Sequence, residues 1–156
     1  MSVHRATSEW ALEDGQDFIH GRYGRGHAVS FDGGHVVPGT ASPHVVGKKW
    51  AEKGAVDPEE MLVGAVSSCH MLTFLHVARL AGFVVAHYRD EAEGLMGPNA
   101  EGRQAVTRVT LHPAIDYSGA RPTAEESQRL HHQAHEGCFI ANSVKTEVRV
   151  EERKPD

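Results

Sequence analysis

The segment 57-DPEEMLVGAVSSCHMLTFLHVARLAG-82 combines a helix start signal with a long uncharged run. Asp57 is a favourable N-cap residue, Pro58 suits the first helical position, and Glu60 lies where the acid of a capping box lies. Gly82 is typical of the position just past a helix end. These signals predict a helix that begins at Pro58 and runs to about residue 81.

The predicted helix is apolar nearly all round, since no Asp, Glu, Lys or Arg occurs from Met61 to Ala78. A membrane-spanning helix needs roughly 20 predominantly apolar residues, and serine, threonine and histidine interrupt this run. A helix buried inside a soluble protein is therefore the favoured interpretation. One sheet covers only one side of such a helix. A second copy of the chain is the simplest remaining cover, so the sequence predicts a homodimer.

Short strands and turns are predicted before this helix. Candidate strands lie at Thr7–Leu12 and His27–Phe31, and Asp32-Gly33-Gly34 is typical of a hairpin turn. Residues from Thr40 to Val56 show no period and are predicted to form a loop.

After the helix, alternating apolar and polar residues predict strands at Val84–Ala92 and Ala105–Tyr117, joined by a hairpin connection over Gly94–Gly102. A second capping box at Thr123 predicts a helix that closes near Gly137. The last strand is predicted within residues 144–151. This order predicts an α+β fold with a largely antiparallel sheet.

The 156 residues have the length of one domain, and we predict a single domain over residues 1–156. Net charge is −5 and the lysines and arginines are scattered, which argues against a nucleic-acid or anionic-membrane partner. The N-terminus carries no apolar signal region, so we expect a cytoplasmic protein.

Two cysteines, Cys69 and Cys138, are the candidate reactive groups. A single cysteine is more often a small buried apolar residue than a nucleophile. In a cytoplasmic protein a structural disulfide is improbable, so the pair is either inert or redox-active. A thiolate that attacks a peroxide becomes a sulfenic acid, and a second thiol is needed to resolve it. Two cysteines are the minimum for that cycle.

The chain resembles the OsmC/Ohr family (osmotically inducible protein C and organic hydroperoxide resistance protein). Asp57–Leu62, followed by small residues and Cys69, is similar to the family's N-P-E-E/Q-L…C pattern. Ala81-Gly82-Phe83 at the helix end and the second cysteine ahead of Ala141-Asn142-Ser143 also match. Gly21–Arg25 is similar to the family's turn containing glycine and arginine.

The resemblance implies an intertwined homodimer in which mostly antiparallel sheets wrap around central helices. It also implies thiol-dependent reduction of organic hydroperoxides, without a cofactor, by an external dithiol or lipoyl-type reductant. On this interpretation Cys69 is the peroxidatic thiol and Cys138 the resolving thiol. The family's activating arginine corresponds to Arg22, and Glu59 matches the glutamate that holds it.

Residues other than Arg22 are alternatives for the activating cation. Arg25 lies close to Arg22, and an OsmC-like alignment places Lys48-Lys49 at the position of the arginine. A lysine lacks the two-pronged fork of a guanidinium. Along one straight helix Glu59 and Cys69 are separated by about 15 Å. Either the helix breaks, near Gly64, or Glu59 serves the site of the other subunit, which we favour.

The spacing of His131, His135 and Cys138 is compatible with metal ligands, although a solvated helix face is the favoured interpretation. Two other functions stay open beside the peroxidase. One is a dimer of the same fold that binds an apolar ligand without turnover, and the other is a redox sensor whose disulfide changes a surface.

Overall fold

A computed structural model describes residues 1–154 and shows the predicted mixture of helices and strands. The strands are β1 Ala6–Glu9, β2 His27–Phe31, β3 Val36–Gly39, β4 Val85–Asp90, β5 Glu93–Pro98, β6 Gln104–Leu111, β7 Pro113–Tyr117 and β8 Glu147–Val150. The helices are α1 Pro43–Val46, α2 Pro58–Leu80 and α3 Ala124–Gly137, with a 3-10 turn at Ala141–Ser143. The α+β prediction is confirmed.

The chain divides into two compact units, Met1–Met61 and the part from Leu62 onward, so the boundary falls inside α2. Whether both units act as one domain, as predicted from length, stays a prediction. Each unit is described by itself.

In the first unit, β1, β2 and β3 form an antiparallel sheet. The predicted turn between β2 and β3 is present, with Gly34 at a φ of +85° that favours glycine. The first strand lies at Ala6–Glu9 rather than extending to Leu12. The prediction of a plain loop over residues 40–56 is wrong in one place, because Ser42 caps the short helix α1. Four residues are too few to show a helical period.

An aromatic cluster and both tryptophans also lie in the first unit. The rings of Trp10, Phe18 and Tyr23 have centroids 5.8, 5.4 and 4.6 Å apart in their three pairings. Trp10 Nε1 donates to the Gly24 carbonyl at 3.0 Å. The second tryptophan is Trp50, and Lys49 Nζ lies 4.7 Å from the centre of its ring.

Helix α2 begins as the sequence predicts. The Asp57 carboxylate accepts from the Glu60 N–H at 2.8 Å, and the Glu60 carboxylate accepts from the Asp57 N–H at 3.0 Å. This reciprocal pair satisfies two backbone donors of the first turn. The helix continues through Gly64 without a break and ends before Gly82, whose φ is +85°. The alternative of a helix broken near Gly64 is therefore wrong.

One stripe of α2 is buried, formed by Val66, His70, Phe74 and Ala78 at i, i+4 spacing. The helix is long and apolar enough to cross a membrane by length and composition, with a mean hydropathy of 1.5 over its most apolar window. Only 22% of that window is buried within the chain. A single chain therefore covers α2 on one side only, as expected from the sequence.

The strands of the second unit form a β4–β7 antiparallel pair and a three-stranded sheet, in which β6 pairs antiparallel with β5 and parallel with β8. The single strand predicted over Ala105–Tyr117 is wrong, because His112 separates β6 from β7. The His112 N–H donates to Asp90 Oδ1 at 2.6 Å. Pro113 has no N–H to continue the ladder.

The predicted connection over Gly94–Gly102 is also corrected, since its first part is strand β5. The hairpin turn is shorter and lies at Asn99–Arg103, where the Asn99 N–H donates to the Arg103 carbonyl at 2.8 Å. Glycine and proline are depleted in strands, which conceals β5 in the sequence. The pairing with β6 outweighs that weak local preference.

Helix α3 has the predicted capping box, with the Glu126 N–H donating to Thr123 Oγ1 at 3.2 Å and the Thr123 N–H donating to Glu126 at 2.8 Å. The helix ends at Gly137, also as predicted, and Cys138 is its C-cap. The final strand covers Glu147–Val150, within the predicted range. A core cluster joins the helices to the sheets, with members Phe74, Ala78, Ile115, Leu130 and Ala134.

Candidate active site

An apolar groove of about 710 Å³ lies in the second unit, beside the side of α2 that the core stripe does not use. Helix α2 contributes Cys69, Leu72 and His76 to its lining, and the end of α3 contributes Gly137 and Phe139. Leu72 is 61% exposed and Phe139 is 81% exposed. The groove is therefore open and dominated by hydrocarbon surface.

Cys69 lies on the wall of this groove in the middle of α2. It is a free, half-buried thiol, and its backbone carbonyl accepts from Thr73 Oγ1 at 2.9 Å. The helix dipole acts within about one turn of a helix end, so it contributes little at this position. Cys69 is thus accessible to a molecule in the groove.

Cys138 is a free thiol that is fully buried behind the groove. Burial raises the pKa of Cys138, and the hydrogen bond from the Ala141 N–H to its Sγ, 3.4 Å long, acts in the opposite direction. The neighbouring Cys69 thiol raises the pKa of Cys138 further. The two cysteines are therefore neighbours, one accessible and the other shielded and held in the thiol form.

A close approach of α2 and α3 allows the two cysteines to meet. A Cβ atom at Gly137 would lie 3.0 Å from Thr73 Cγ2, tighter than ordinary van der Waals contact. Because glycine occupies the position before Cys138, the end of α3 reaches the surface of α2 beside Cys69. The sequence predicted that Gly137 ends the helix, but it did not indicate this close contact with α2.

Glu59 lies in the first turn of α2 but takes no part in the cap, which uses Glu60. Its Oε2 atom is buried and has no hydrogen-bond partner within residues 1–154. Arg22 is exposed, and its backbone exchanges hydrogen bonds with Asp17 at 2.9 and 3.1 Å. Its guanidinium makes no hydrogen bond or ion pair to the described part of the chain.

The two alternative cations contact aromatic rings. The Arg25 guanidinium lies 3.5 Å from the centre of the Tyr23 ring and donates to the Tyr23 carbonyl. Lys49 lies over Trp50, as described above. Arg22, in contrast to Arg25 and Lys49, has no cation–aromatic contact among residues 1–154. The roles of Arg22 and Glu59 at the site stay predictions.

The histidines of α3 do not form the solvated face that the sequence favours. His131 is buried, whereas His132 is exposed. No group of three or more His, Cys, Asp or Glu residues suited to a metal ion occurs among residues 1–154. The prediction of a solvated histidine face on α3 is therefore wrong for His131, which packs in the core.

His70 directly follows Cys69 in the chain, but its side chain is buried in the core. It lies on the core stripe of α2 with His70 Nε2 3.1 Å from His131 Nδ1. Burial lowers the pKa of His70 to about 4, and His131 and His135 add to the effect. Its position at i, i+4 from Val66 and Phe74 is the signal that could have located it in the core.

Glu152 lies at the other side of His131. Its Oε2 accepts from Ser127 Oγ at 2.5 Å and lies 3.7 Å from His131 Nε2. The adjacent His131 lowers the pKa of Glu152, and the hydrogen bond from Ser127 acts in the same direction against the effect of burial. Polar side chains of α2, α3 and the segment after β8 therefore lie next to one another in the interior, although His131 Nε2 has no hydrogen-bond partner among residues 1–154.

The family model described as OsmC-like protein matches residues 51–153. The solved structure of an OsmC-like protein of unknown function from Vibrio cholerae is 45% identical, covers 98% of this chain and 100% of that chain, and has a TM-score of 0.94. An organic hydroperoxide resistance protein from Elizabethkingia anophelis is 20% identical over 99% and 98% of the chains, with a TM-score of 0.73. The organic hydroperoxide resistance protein OhrB of Bacillus subtilis is 15% identical over 97% and 98%, with a TM-score of 0.65.

No curated protein matches the chain significantly. The two hydroperoxide resistance proteins share the fold at low identity, whereas the Vibrio cholerae protein shares both fold and sequence. Because the family model spans most of the chain and agrees with the structural neighbours, the chain belongs to the OsmC-like protein family.

Proposed function

We propose that this protein is a thiol-dependent peroxidase that reduces organic hydroperoxides to alcohols. The observation that carries the proposal is an accessible thiol, Cys69, on an apolar groove with a buried second thiol, Cys138, beside it. Structural neighbours named as organic hydroperoxide resistance proteins support it. Two free thiols also fit a reducing compartment such as the cytoplasm.

The proposed reaction begins at Cys69. Its thiolate attacks the distal oxygen of the hydroperoxide, the O–O bond breaks, and the departing alkoxide takes a proton to become the alcohol. Cys69 is left as a sulfenic acid. Cys138 sulfur then attacks Cys69 sulfur, hydroxide leaves and takes the Cys138 proton as water, and a disulfide forms. An external dithiol returns both residues to thiols and is itself oxidised to a disulfide.

The raised pKa of Cys138 fits the resolving role. A protonated, buried thiol does not compete with Cys69 for the peroxide, and it loses its proton when it attacks the sulfenic acid. The half-buried Cys69 fits the peroxidatic role because substrate can reach it.

The groove favours a hydroperoxide with an apolar tail. Leu72, Val77, Phe139 and Ile140 line it, and no lysine or arginine is among its lining residues. Apolar ligands gain about 25 cal/mol for each Å² of apolar surface removed from water. A substrate such as cumene hydroperoxide is therefore expected to react faster than hydrogen peroxide.

We propose that Arg22, oriented by Glu59, supplies the positive charge that supports the Cys69 thiolate. An arginine fork can contact a carboxylate and a peroxide oxygen together. Glu59 Oε2 is buried without a partner and the Arg22 guanidinium makes no ion pair within residues 1–154. Because α2 is unbroken, Glu59 and Cys69 stand about 15 Å apart along its axis. We therefore propose that Glu59 serves the site of a second copy.

A homodimer would also cover α2. The face of α2 away from the core stripe is apolar and largely exposed in one copy, and contiguous exposed apolar surface is typical of an interaction site. Burial between two copies removes that surface from water.

The test is turnover of cumene hydroperoxide by the reduced protein with dithiothreitol, for the wild type, Cys69→Ser and Cys138→Ser. We expect the wild type to turn over and Cys69→Ser to be inactive. Cys138→Ser, reduced and then freed of dithiothreitol, should consume one equivalent of hydroperoxide and stop. His132→Gln, on the exposed side of α3, is the matched control and should retain activity. If the wild type shows no turnover while both thiols remain free, the peroxidase is contradicted and an apolar-ligand-binding dimer is the better interpretation.

A further inference from the structure

A hydrogen bond between two buried histidines joins α2 to α3. His70 Nε2 lies 3.1 Å from His131 Nδ1, and the two residues are 1% and 6% exposed. His131 Nε2 lies 3.7 Å from Glu152 Oε2, outside hydrogen-bond distance, and Glu152 accepts a hydrogen bond from Ser127. The His70–His131 bond is therefore the hydrogen bond that links the two helices at this place, and apolar packing does not require it, because Phe74 and Leu130 already supply core contacts here.

The imidazole rings are held in a fixed orientation. The planes of His70 and His131 are within 10° of each other, and the Phe74 ring stacks on His131 with centroids 4.4 Å apart. A buried donor without a partner is unfavourable. A shift of α3 along α2 by one turn, about 5.4 Å, would separate the rings and leave both without that bond. The pair therefore selects one register of the two helices.

These two helices are the ones that carry the cysteines. Cys69 directly precedes His70 on α2, and Cys138 lies about two turns after His131, at the end of α3. The side chain of His70 points into the core while Cys69 lines the groove on the other side of α2. The histidine bond thus acts on the position of both thiols without touching either reacting sulfur.

We infer that the His70–His131 hydrogen bond is a positioning contact that holds Cys69 and Cys138 at the separation required for disulfide formation. The inference rests on the proposed dithiol cycle, since it concerns the step in which the two sulfurs join. His70 is a positioning residue and not a catalytic one.

The test measures the effective concentration of the two thiols in redox equilibrium with glutathione. Oxidised glutathione takes two electrons and two protons from the Cys69 and Cys138 thiols, which form a disulfide, and two molecules of reduced glutathione are released. At half oxidation of the protein, the square of the reduced glutathione concentration divided by the oxidised glutathione concentration gives the effective concentration of the two thiols. No hydroperoxide is involved, so the measurement is independent of peroxidase activity.

Variants of His70 separate positioning from general stability. His70→Gln keeps a polar nitrogen near the position of Nε2, and we expect an effective concentration close to wild type. His70→Leu keeps the volume and loses the bond, and we expect a decrease of about tenfold or more. His132→Leu, at an exposed position of α3, is the matched control and should leave the value unchanged.

A second pair keeps the test valid if His70→Leu does not fold. His131→Asn retains a polar atom near Nδ1, which faces His70, whereas His131→Gln places its amide near Nε2, on the side of Glu152. We expect the effective concentration of the two thiols to match the wild type in His131→Asn and to decrease in His131→Gln. Equal values for His131→Asn and His131→Gln, or an unchanged value in folded His70→Leu, would overturn the positioning contact.

The two proposals fail in different ways. A wild-type protein that forms the disulfide with glutathione but does not reduce cumene hydroperoxide contradicts the peroxidase and leaves the positioning contact to be judged by the variants. A wild-type protein that forms no Cys69–Cys138 disulfide at all overturns both.

Discussion

Gly137 of α3 lies so close to Thr73 of α2 that a Cβ atom at position 137 would come within 3.0 Å of Thr73 Cγ2. Thr73 cannot easily turn away, because its hydroxyl donates to the Cys69 carbonyl at 2.9 Å. The contact therefore ties the end of α3, and with it Cys138, to the turn of α2 that follows Cys69.

Gly137→Ala tests this close approach. Alanine favours a helix over glycine by up to about 1 kcal/mol, whereas overpacking costs about 1–3 kcal/mol. We expect a net loss of about 1 kcal/mol in the free energy of unfolding, measured with urea on the reduced protein. Thr73→Ser removes Cγ2 and keeps the hydroxyl, so the double variant should recover most of the loss. A more stable Gly137→Ala protein would contradict the expected clash.

The N-terminus of α2 depends on the reciprocal bonds between Asp57 and Glu60. Asp57→Ala removes the cap acceptor and should destabilise the protein by about 1 kcal/mol, as seen by thermal or urea unfolding. Glu59→Gln is a suitable comparison, since Glu59 takes no part in the cap. Equal losses in the two variants would mean that first-turn charge, rather than the hydrogen bonds, stabilises this end.

His70 predicts a pH dependence of stability. Its pKa falls from 6.5 to about 4 in the folded protein, so between these values the unfolded chain binds a proton that the folded chain does not. The contribution of His70 is complete above pH 6.5 and is lost as the pH falls towards 4, by about 3 kcal/mol in all. The free energy of unfolding, measured with urea at a series of pH values in this range, should change less with pH for His70→Gln than for the wild type. The exposed control His132→Gln should keep the wild-type slope, and equal slopes in all three proteins would contradict the prediction.

The proposed dimer can be tested on the uncovered face of α2. Leu72 is 61% exposed in one copy, so Leu72→Arg should leave the fold of a single chain intact and yield monomers by light scattering. His132→Arg adds the same charge at an exposed position of α3 and should leave the oligomeric state unchanged. A wild-type protein that is monomeric at micromolar concentration would contradict the dimer.

Local signals in the sequence predicted the helices well. The capping residues Asp57 and Thr123 and the glycine at position 82 act through bonds to residues nearby in the chain, so they can be recognised without knowledge of the fold. The hairpin between β2 and β3 was predictable for the same reason, because Gly34 adopts a positive φ that residues other than glycine rarely adopt.

The strand predictions that were wrong depend on contacts between residues distant in sequence. The division of one predicted strand at His112 depends on Asp90, which is distant in sequence and accepts the His112 N–H. Strand β5 forms despite its glycines because β6 offers a paired edge. Motif spacing brought both cysteines to attention, but only the meeting of α2 with the end of α3 places them as neighbours.

The distribution of tryptophan has a practical consequence for optical spectroscopy. The chain has two tryptophans, Trp10 and Trp50, and both belong to the unit Met1–Met61. Fluorescence excited at the red edge of the absorption band therefore reports on that unit alone, while the far-ultraviolet dichroism signal is dominated by α2 and α3. Followed together during denaturation, the two signals show whether the units melt as one cooperative body or in succession.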